Sequence, residues 1–123
     1  ADKITFVHDD EDVLRDLTAR CQEAFGDRAT IVQSQTYYLD VTAPLANKGD
    51  GIEALAKAYG VPLDRIAAIG DQANDLPMLA RAGLSIAMGN APAAIQAKAM
   101  HVTLANDRDG VAEAIDTLIL GDD

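Results

Sequence analysis

The segment Ile66-Ala67-Ala68-Ile69-Gly70-Asp71-Gln72-Ala73-Asn74-Asp75-Leu76-Pro77-Met78-Leu79 constrains the fold more tightly than any other part of the 123-residue chain. Four apolar residues end at a glycine, which permits a tight turn. Two carboxylates and an amide follow, and an amphipathic stretch then runs to Gly83. The pattern reads as a strand at 66–69, a turn, and a helix at 75–82. A strand that is apolar on both faces must be covered on both, as in parallel sheets flanked by helices. Ligands of such sheets sit beyond the carboxyl ends of the strands. Asp71 and Asp75 therefore fall where a hard cation could be held.

The same alternation extends along the chain. Ile52, Leu55, Ala56 and Tyr59 share one face of a helix that runs from Gly51, that Gly60 closes and that Pro62 keeps from continuing. After the 66–82 unit come a strand at 84–88, a helix at 92–99, a short strand at 101–104 and a last helix at 111–120. This order predicts a parallel sheet with helices on both faces. Residues 1–42 read differently, as β-α-β-β. A strand at 3–8 precedes a helix whose start is marked by Asp9-Asp10-Glu11-Asp12. Its apolar positions are Val13, Leu14, Leu17, Cys21, Ala24 and Phe25, and Gly26 is its C-cap. Two β-rich runs, 29–35 and 36–42, follow as antiparallel neighbours. The composition shifts at Ala43-Pro44-Leu45-Ala46-Asn47-Lys48-Gly49, which divides the chain into a first part, 1–46, and a second, 47–123.

Apolar residues make up 49% of the chain, a globular value. A formal net charge of −10 argues against nucleic acid and anionic membrane as partners. No apolar run reaches membrane-spanning length, and Ala1-Asp2-Lys3 does not open a signal peptide. The single cysteine, Cys21, has no partner for an internal disulfide, which points to a reducing, cytoplasmic location.

Among residues able to carry chemistry, Asp71 stands first. A carboxylate at the end of an apolar strand is either a metal ligand or a salt-bridged structural acid. Asn74 and Asp75 open the next helix, where capping explains one of them but does not demand both. Lys48 is either a solvated surface lysine or, with helix N–H groups behind it, a cation placed to neutralise a phosphate. It lies one βα unit before Asp71 in sequence order, so the two can converge at one sheet edge. Asn90, after the next strand, reads first as a turn residue. Asp107, Asp109 and Gly110 read as a loop and helix cap. Cys21 belongs to an apolar helix face, and His8 and His101 have no partner at metal-binding spacing. Tyr37, Tyr38 and Tyr59 read as packing residues, with the Tyr37–Tyr38 pair and the loop 43–47 as alternative specificity elements.

Lys48-Gly49, the 66–79 segment, Ala82-Gly83, Ala87-Met88-Gly89-Asn90-Ala91, Ala99 and Asp109-Gly110-Val111-Ala112 together resemble the haloacid dehalogenase (HAD) superfamily. The resemblance is to its Cof-like branch, in which a large α/β cap (type IIB) is inserted into the core. It covers residues 48–120 closely, and residues 3–47 as the closing part of the cap. The fold class it implies is α/β: the C-terminal half of a Rossmann-like HAD core, preceded by a β-α-β-β piece of the cap. It further implies a Mg²⁺-dependent phosphatase of small phosphorylated metabolites, often sugar phosphates, acting through an aspartyl-phosphate intermediate. A carboxylate is a competent nucleophile toward phosphorus once the phosphate charge is neutralised, and Mg²⁺ and a lysine supply that neutralisation. By motif match, Lys48 stabilises the phosphate and Asp71 is the Mg²⁺ ligand. Asn74 contacts phosphate or holds Lys48, Asp75 supports metal-bound water or the lysine, and Asn90 stands behind them.

The family's nucleophile motif, a strand followed by Asp-x-Asp-Gly-[Thr/Val], does not occur in the sequence. The nearest string, Val7-His8-Asp9-Asp10-Glu11-Asp12, lacks Gly-Thr and falls in the cap-like part. The family's strand ending in Ser or Thr is not identifiable either. The resemblance thus implies the C-terminal portion of a longer enzyme, inactive alone. Its exposed sheet edges suit self-association or non-covalent pairing with the missing N-terminal portion. The alternatives are a non-catalytic phosphate- or partner-binding module and a phosphomutase of the same superfamily.

Overall fold

The computed structural model describes residues 3–121. The chain forms two compact units that divide between Asn47 and Lys48.

In the first unit, β1 (Lys3–Val7), α1 (Glu11–Phe25), β2 (Thr30–Gln35) and β3 (Tyr38–Thr42) follow in order. The sheet is antiparallel, with strand order β1-β3-β2. The acidic run starts α1 as its composition predicts: the Asp10 side chain accepts from the Asp12 N–H at 2.9 Å. Strand alternation turns Ile31, Leu39 and Val41 toward α1, where they meet Leu14, Leu17 and Cys21. Leu39, on the central strand, is fully buried, and Cys21 is a core residue. On the opposite face of β3, Asp40 accepts from Thr5 Oγ1 at 2.7 Å and pairs with Lys3 Nζ at 2.9 Å. Burial alone would raise the Asp40 carboxyl. Hydrogen bonds from Thr5, Lys3 and Ser34 and the charge of Lys3 outweigh it and hold the group below the usual carboxylate range.

The second unit contains α2 (Lys48–Tyr59), β4 (Ala67–Gly70), α3 (Leu76–Arg81), β5 (Leu84–Ala87), α4 (Ala93–Gln96), β6 (His101–Val102) and α5 (Gly110–Ala114). A π-helical turn, Ile115–Ile119, continues α5. The sheet is parallel, with strand order β4-β5-β6. Ser85, Ile86 and Ala87 of central β5 are all buried, so both of its faces are covered, whereas β6 is exposed. Ala68, Leu79, Ala82, Ala91 and Ile95 form the core, with Ile52, Leu76 and Met78 packed against them.

Several expectations are corrected. The helix expected from Gly51 begins at Lys48. Gly49 and Gly51 lower its intrinsic propensity, but Gly49 is buried, and tertiary contact sustains the first turn. Its buried line is Gly49, Ile52 and Ala56, so Leu55 and Tyr59 face away, and Tyr59 is 77% exposed instead of packed. Tyr37 is exposed as well. It lies in the β2–β3 turn and meets Tyr38 edge-on at a ring-centroid distance of 4.5 Å. The helix expected over 92–99 is shorter: after Gln96 the bonds tighten to three-residue turns, Lys98 N to Ile95 O and Ala99 N to Gln96 O, and Met100 N then leaves to donate to Ser85 O in the sheet. Among the described residues, no helix is long and apolar enough to cross a membrane.

Candidate active site

The carboxyl end of β4 delivers Asp71 directly after Gly70, and the 3₁₀ turn Ala73–Asp75 leads from there into α3. Gly70 is needed for space and not for an unusual backbone angle. Among the described residues only Gly26 and Gly60 are glycines with positive φ. A Cβ on Gly70 would stand 2.5 Å from Asp75 Cβ and 2.8 Å from Asp75 Oδ2. The strand end is therefore bare so that the Asp75 carboxylate can lie against it.

Asp75 is the hub. It is 3% exposed. Its Oδ2 accepts from the main-chain N–H groups of Asp71 at 2.9 Å and Gln72 at 3.1 Å. Its Oδ1 pairs with the Lys48 ammonium, which extends from the first turn of α2. Gln72 and Asp75 also cap the turn reciprocally. One side chain thus caps the turn and holds the lysine. Asp71 itself is half-buried, and Asn90 Nδ2 donates to its Oδ2 at 3.3 Å. Asn90 Oδ1 in turn accepts from the main-chain N–H of Asn106 at 2.9 Å. Asn74 Oδ1 is buried without a hydrogen-bond partner among the described residues.

The structure therefore links Lys48 to Asp75, Asp75 to the main chain of Asp71, and Asp71 to Asn90. Lys48 is held by Asp75 and not by Asn74. Sequence reasoning missed Gln72 as the reciprocal cap, although a Gln three residues before an Asp is a capping-box signal in reverse order. It also missed the Asn106 N–H, for which the sequence carries no signal because the donor is main chain. Arg81, which ties α3 to α2 through Asp50 at 2.9 Å and Glu53 at 3.4 Å, was missed too.

Burial alone would raise the Asp75 carboxyl. Hydrogen bonds from Lys48 and from the Asp71 and Gln72 amides, with the Lys48 charge, outweigh burial and lower it. A carboxyl lowered by folding contributes stability above its unfolded value, about 3.9, and that contribution is lost as pH falls through the lower folded value. Unfolding free energy measured against pH should therefore hold between pH 7 and about 5 and fall below about 4. Asp75→Asn should flatten this acid limb, and an unchanged limb would remove Asp75 from the account.

The chemistry of the donors suits a hard cation. Asp71 offers one carboxylate, of which Asn90 occupies a single oxygen. Among the described residues, no group of three or more His, Cys, Asp or Glu converges as a full ligand set. Mg²⁺ takes few carboxylates and keeps waters and phosphate oxygens in its shell, so a lone carboxylate fits as one member of that shell.

A parallel sheet whose carboxyl edge carries a carboxylate and a lysine joined through a buried acid defines an α/β protein of the Rossmann-like class. A family model described as haloacid dehalogenase-like hydrolase matches residues 1–115, and the chain belongs to that family, in its Cof-like branch. Phosphatase YwpJ of Bacillus subtilis is 41% identical over 90 residues, which is 73% of this chain and 32% of that protein. The protein named endoribonuclease YBEY, chloroplastic, of Arabidopsis thaliana is 40% identical over 113 residues, 92% of this chain but 19% of its own length. A solved haloacid dehalogenase-like hydrolase from B. subtilis superimposes with a TM-score of 0.88 at 34% identity, covering 94% of this chain and 40% of that one. The sugar phosphatase BT4131, described as HAD subclass IIB, gives a TM-score of 0.79 at 26% identity over 92% of this chain and 41% of its own. The chain thus spans well under half the length of these relatives.

Proposed function

We propose that this chain supplies the C-terminal share of the active site of a Mg²⁺-dependent phosphomonoesterase acting on small phosphorylated metabolites, with sugar phosphates as the first candidates. The observation that carries the proposal is the Asp75 carboxylate, which receives Lys48 on one oxygen and the main chain of Asp71 on the other. It is supported by relatives named as phosphatases and by a sugar phosphatase among the similar structures.

In this reading Lys48 neutralises phosphate charge, and Asp75 keeps its ammonium at the sheet edge. The Asn74 NH₂ group would donate to a phosphate oxygen, while its buried and unpartnered Oδ1 is open only to a donor such as a metal-bound water. Asp71, oriented by Asn90, would hold Mg²⁺, which supplies charge neutralisation at the phosphoryl group when bound. The nucleophilic aspartate of the aspartyl-phosphate route is absent from this sequence, so the chain alone is inactive. Residues 1–46 act as the closing part of the cap and 47–123 as the core portion. Among the described strands, β4 is paired on one side only. Val111, Ile115 and Ile119 form an exposed apolar line beside a hollow floored by Met88. A free edge and an apolar line suit pairing with the missing N-terminal portion or a second copy.

Given sugar phosphates and MgCl₂, the purified chain is expected to release no phosphate, while added inorganic phosphate shifts the NMR signals of Lys48 and Asn74. Turnover by the chain alone, lost on Asp71→Ala, would overturn the fragment reading. Phosphate-independent signals would overturn the phosphate site.

A further inference from the structure

We infer that the main-chain N–H of Asn106, acting through the Asn90 side chain, is a positioning element that fixes the Asp71 carboxylate. The inference rests on the reading of Asp71 as a cation ligand and adds a remote segment to that site. The Asp71 carboxylate only accepts, so it favours the NH₂ group of Asn90, and a flip of the amide would set oxygen against oxygen. A main-chain N–H can only donate. Placed 2.9 Å from Asn90 Oδ1, the Asn106 N–H holds the amide oxygen on its own side and turns Nδ2 to Asp71 Oδ2. Asn90 is thereby a sign-matched relay from a main-chain donor to a carboxylate acceptor. One Asp71 oxygen is occupied and the carboxylate plane is oriented, with the second oxygen left for a ligand.

The relay is only as firm as the segment that carries residue 106, and that segment is closely held. Thr103 N donates to Ala87 O at 3.0 Å, and Gly89 N donates to Leu104 O at 3.1 Å. Gly110 N returns to Ala105 O at 3.2 Å, and the Thr103 hydroxyl donates to Gly110 O at 2.6 Å. A Cβ on Gly89 would stand 2.8 Å from Thr103 O and 2.9 Å from Ala105 N. The glycine before Asn90 thus admits the strand-exit segment close enough for its N–H to reach the amide. Asp109, the one described non-glycine residue with positive φ, at 55°, turns the segment back into α5. Such a conformation persists where surrounding structure fixes it.

The backbone offers a clean deletion. Asn106 is the first residue of the 3₁₀ turn Asn106–Arg108, a position whose N–H no turn hydrogen bond requires and where proline is favoured. Ala105 before it is extended, with φ −71° and ψ 164°, which suits a residue preceding proline. Asn106→Pro therefore removes the donor, and Asn106→Ala keeps it. In the ¹⁵N-labelled product of the native gene, Asn106→Pro is expected to move the Asn90 side-chain amide resonances and to weaken Mg²⁺ binding, read from shifts at Asp71 on titration with MgCl₂, by about tenfold. Asn106→Ala should match the wild type in both, and the melting temperatures of all three should agree. Unmoved Asn90 resonances in the proline variant, or equal Mg²⁺ affinity in the proline and alanine variants, would overturn the positioning role. Loss of Mg²⁺ binding in Asp71→Asn alongside that equality would leave Asp71 standing as ligand. A titration that leaves Asp71 unmoved in the wild type would overturn the ligand reading and this inference together.

Discussion

Asp75→Ala is expected to destabilise the second unit by about 2–4 kcal/mol, taking about 1–3 kcal/mol for each donor left unpaired and the lower end for the exposed Gln72. The truncation orphans the N–H groups of Asp71 and Gln72, which now meet at one carboxylate oxygen. It also empties the space that the bare Cα of Gly70 leaves for the side chain. Urea unfolding followed by far-UV circular dichroism measures the loss. A change below about 1 kcal/mol, the range of an ordinary surface substitution, would mean that the turn does not depend on this acid.

Lys48→Met should behave in the opposite way. The lysine side chain is 49% exposed, whereas that of Asp75 is 5% exposed. Water screens the pair from the lysine side, so its removal should cost less than breaking a fully buried pair, on the order of 1–2 kcal/mol. Asp75 keeps its two amide donors and stays satisfied. If Lys48 neutralises a phosphate, however, the product of the native gene should lose about 10²–10³-fold in kcat, as when one preorganised charge-stabilising group is removed. A variant that unfolds but retains its specific activity would show Lys48 to be a structural cation. The contrast between the two halves of one ion pair separates scaffold from chemistry: the buried partner governs stability and the exposed partner governs turnover.

These two residues also show what the sequence could and could not reveal. The apolar run 66–69 and the capping chemistry behind it made the parallel strand and its turn legible, because period and cap are local properties. The acidic run 9–12 and the apolar face of Leu14, Leu17 and Cys21 were legible for the same reason. The start of α2 was not. Gly49 and Gly51 argue locally against a helix, and only packing of the buried Gly49 overrides them. Tyr59 was misread because the helix buries a narrow line, and the rest of its apolar surface remains exposed. At the site, Asp71, Asp75, Asn74, Lys48 and Asn90 could be picked out by residue type and order. Which partner holds the lysine could not, since Lys48 and Asp75 are 27 residues apart and meet only through tertiary structure. The role of Gly70 is likewise spatial: it leaves room for a side chain five residues ahead.

The most direct test of the account is phosphate release from a panel of sugar phosphates by the purified product of the native gene, with and without MgCl₂, for the wild type and Asp71→Asn. The account predicts turnover that requires Mg²⁺ and that collapses in Asp71→Asn while the fold, read by circular dichroism, is retained. Turnover indifferent to Mg²⁺ or to Asp71, or no phosphatase activity in a folded wild-type product, would contradict it.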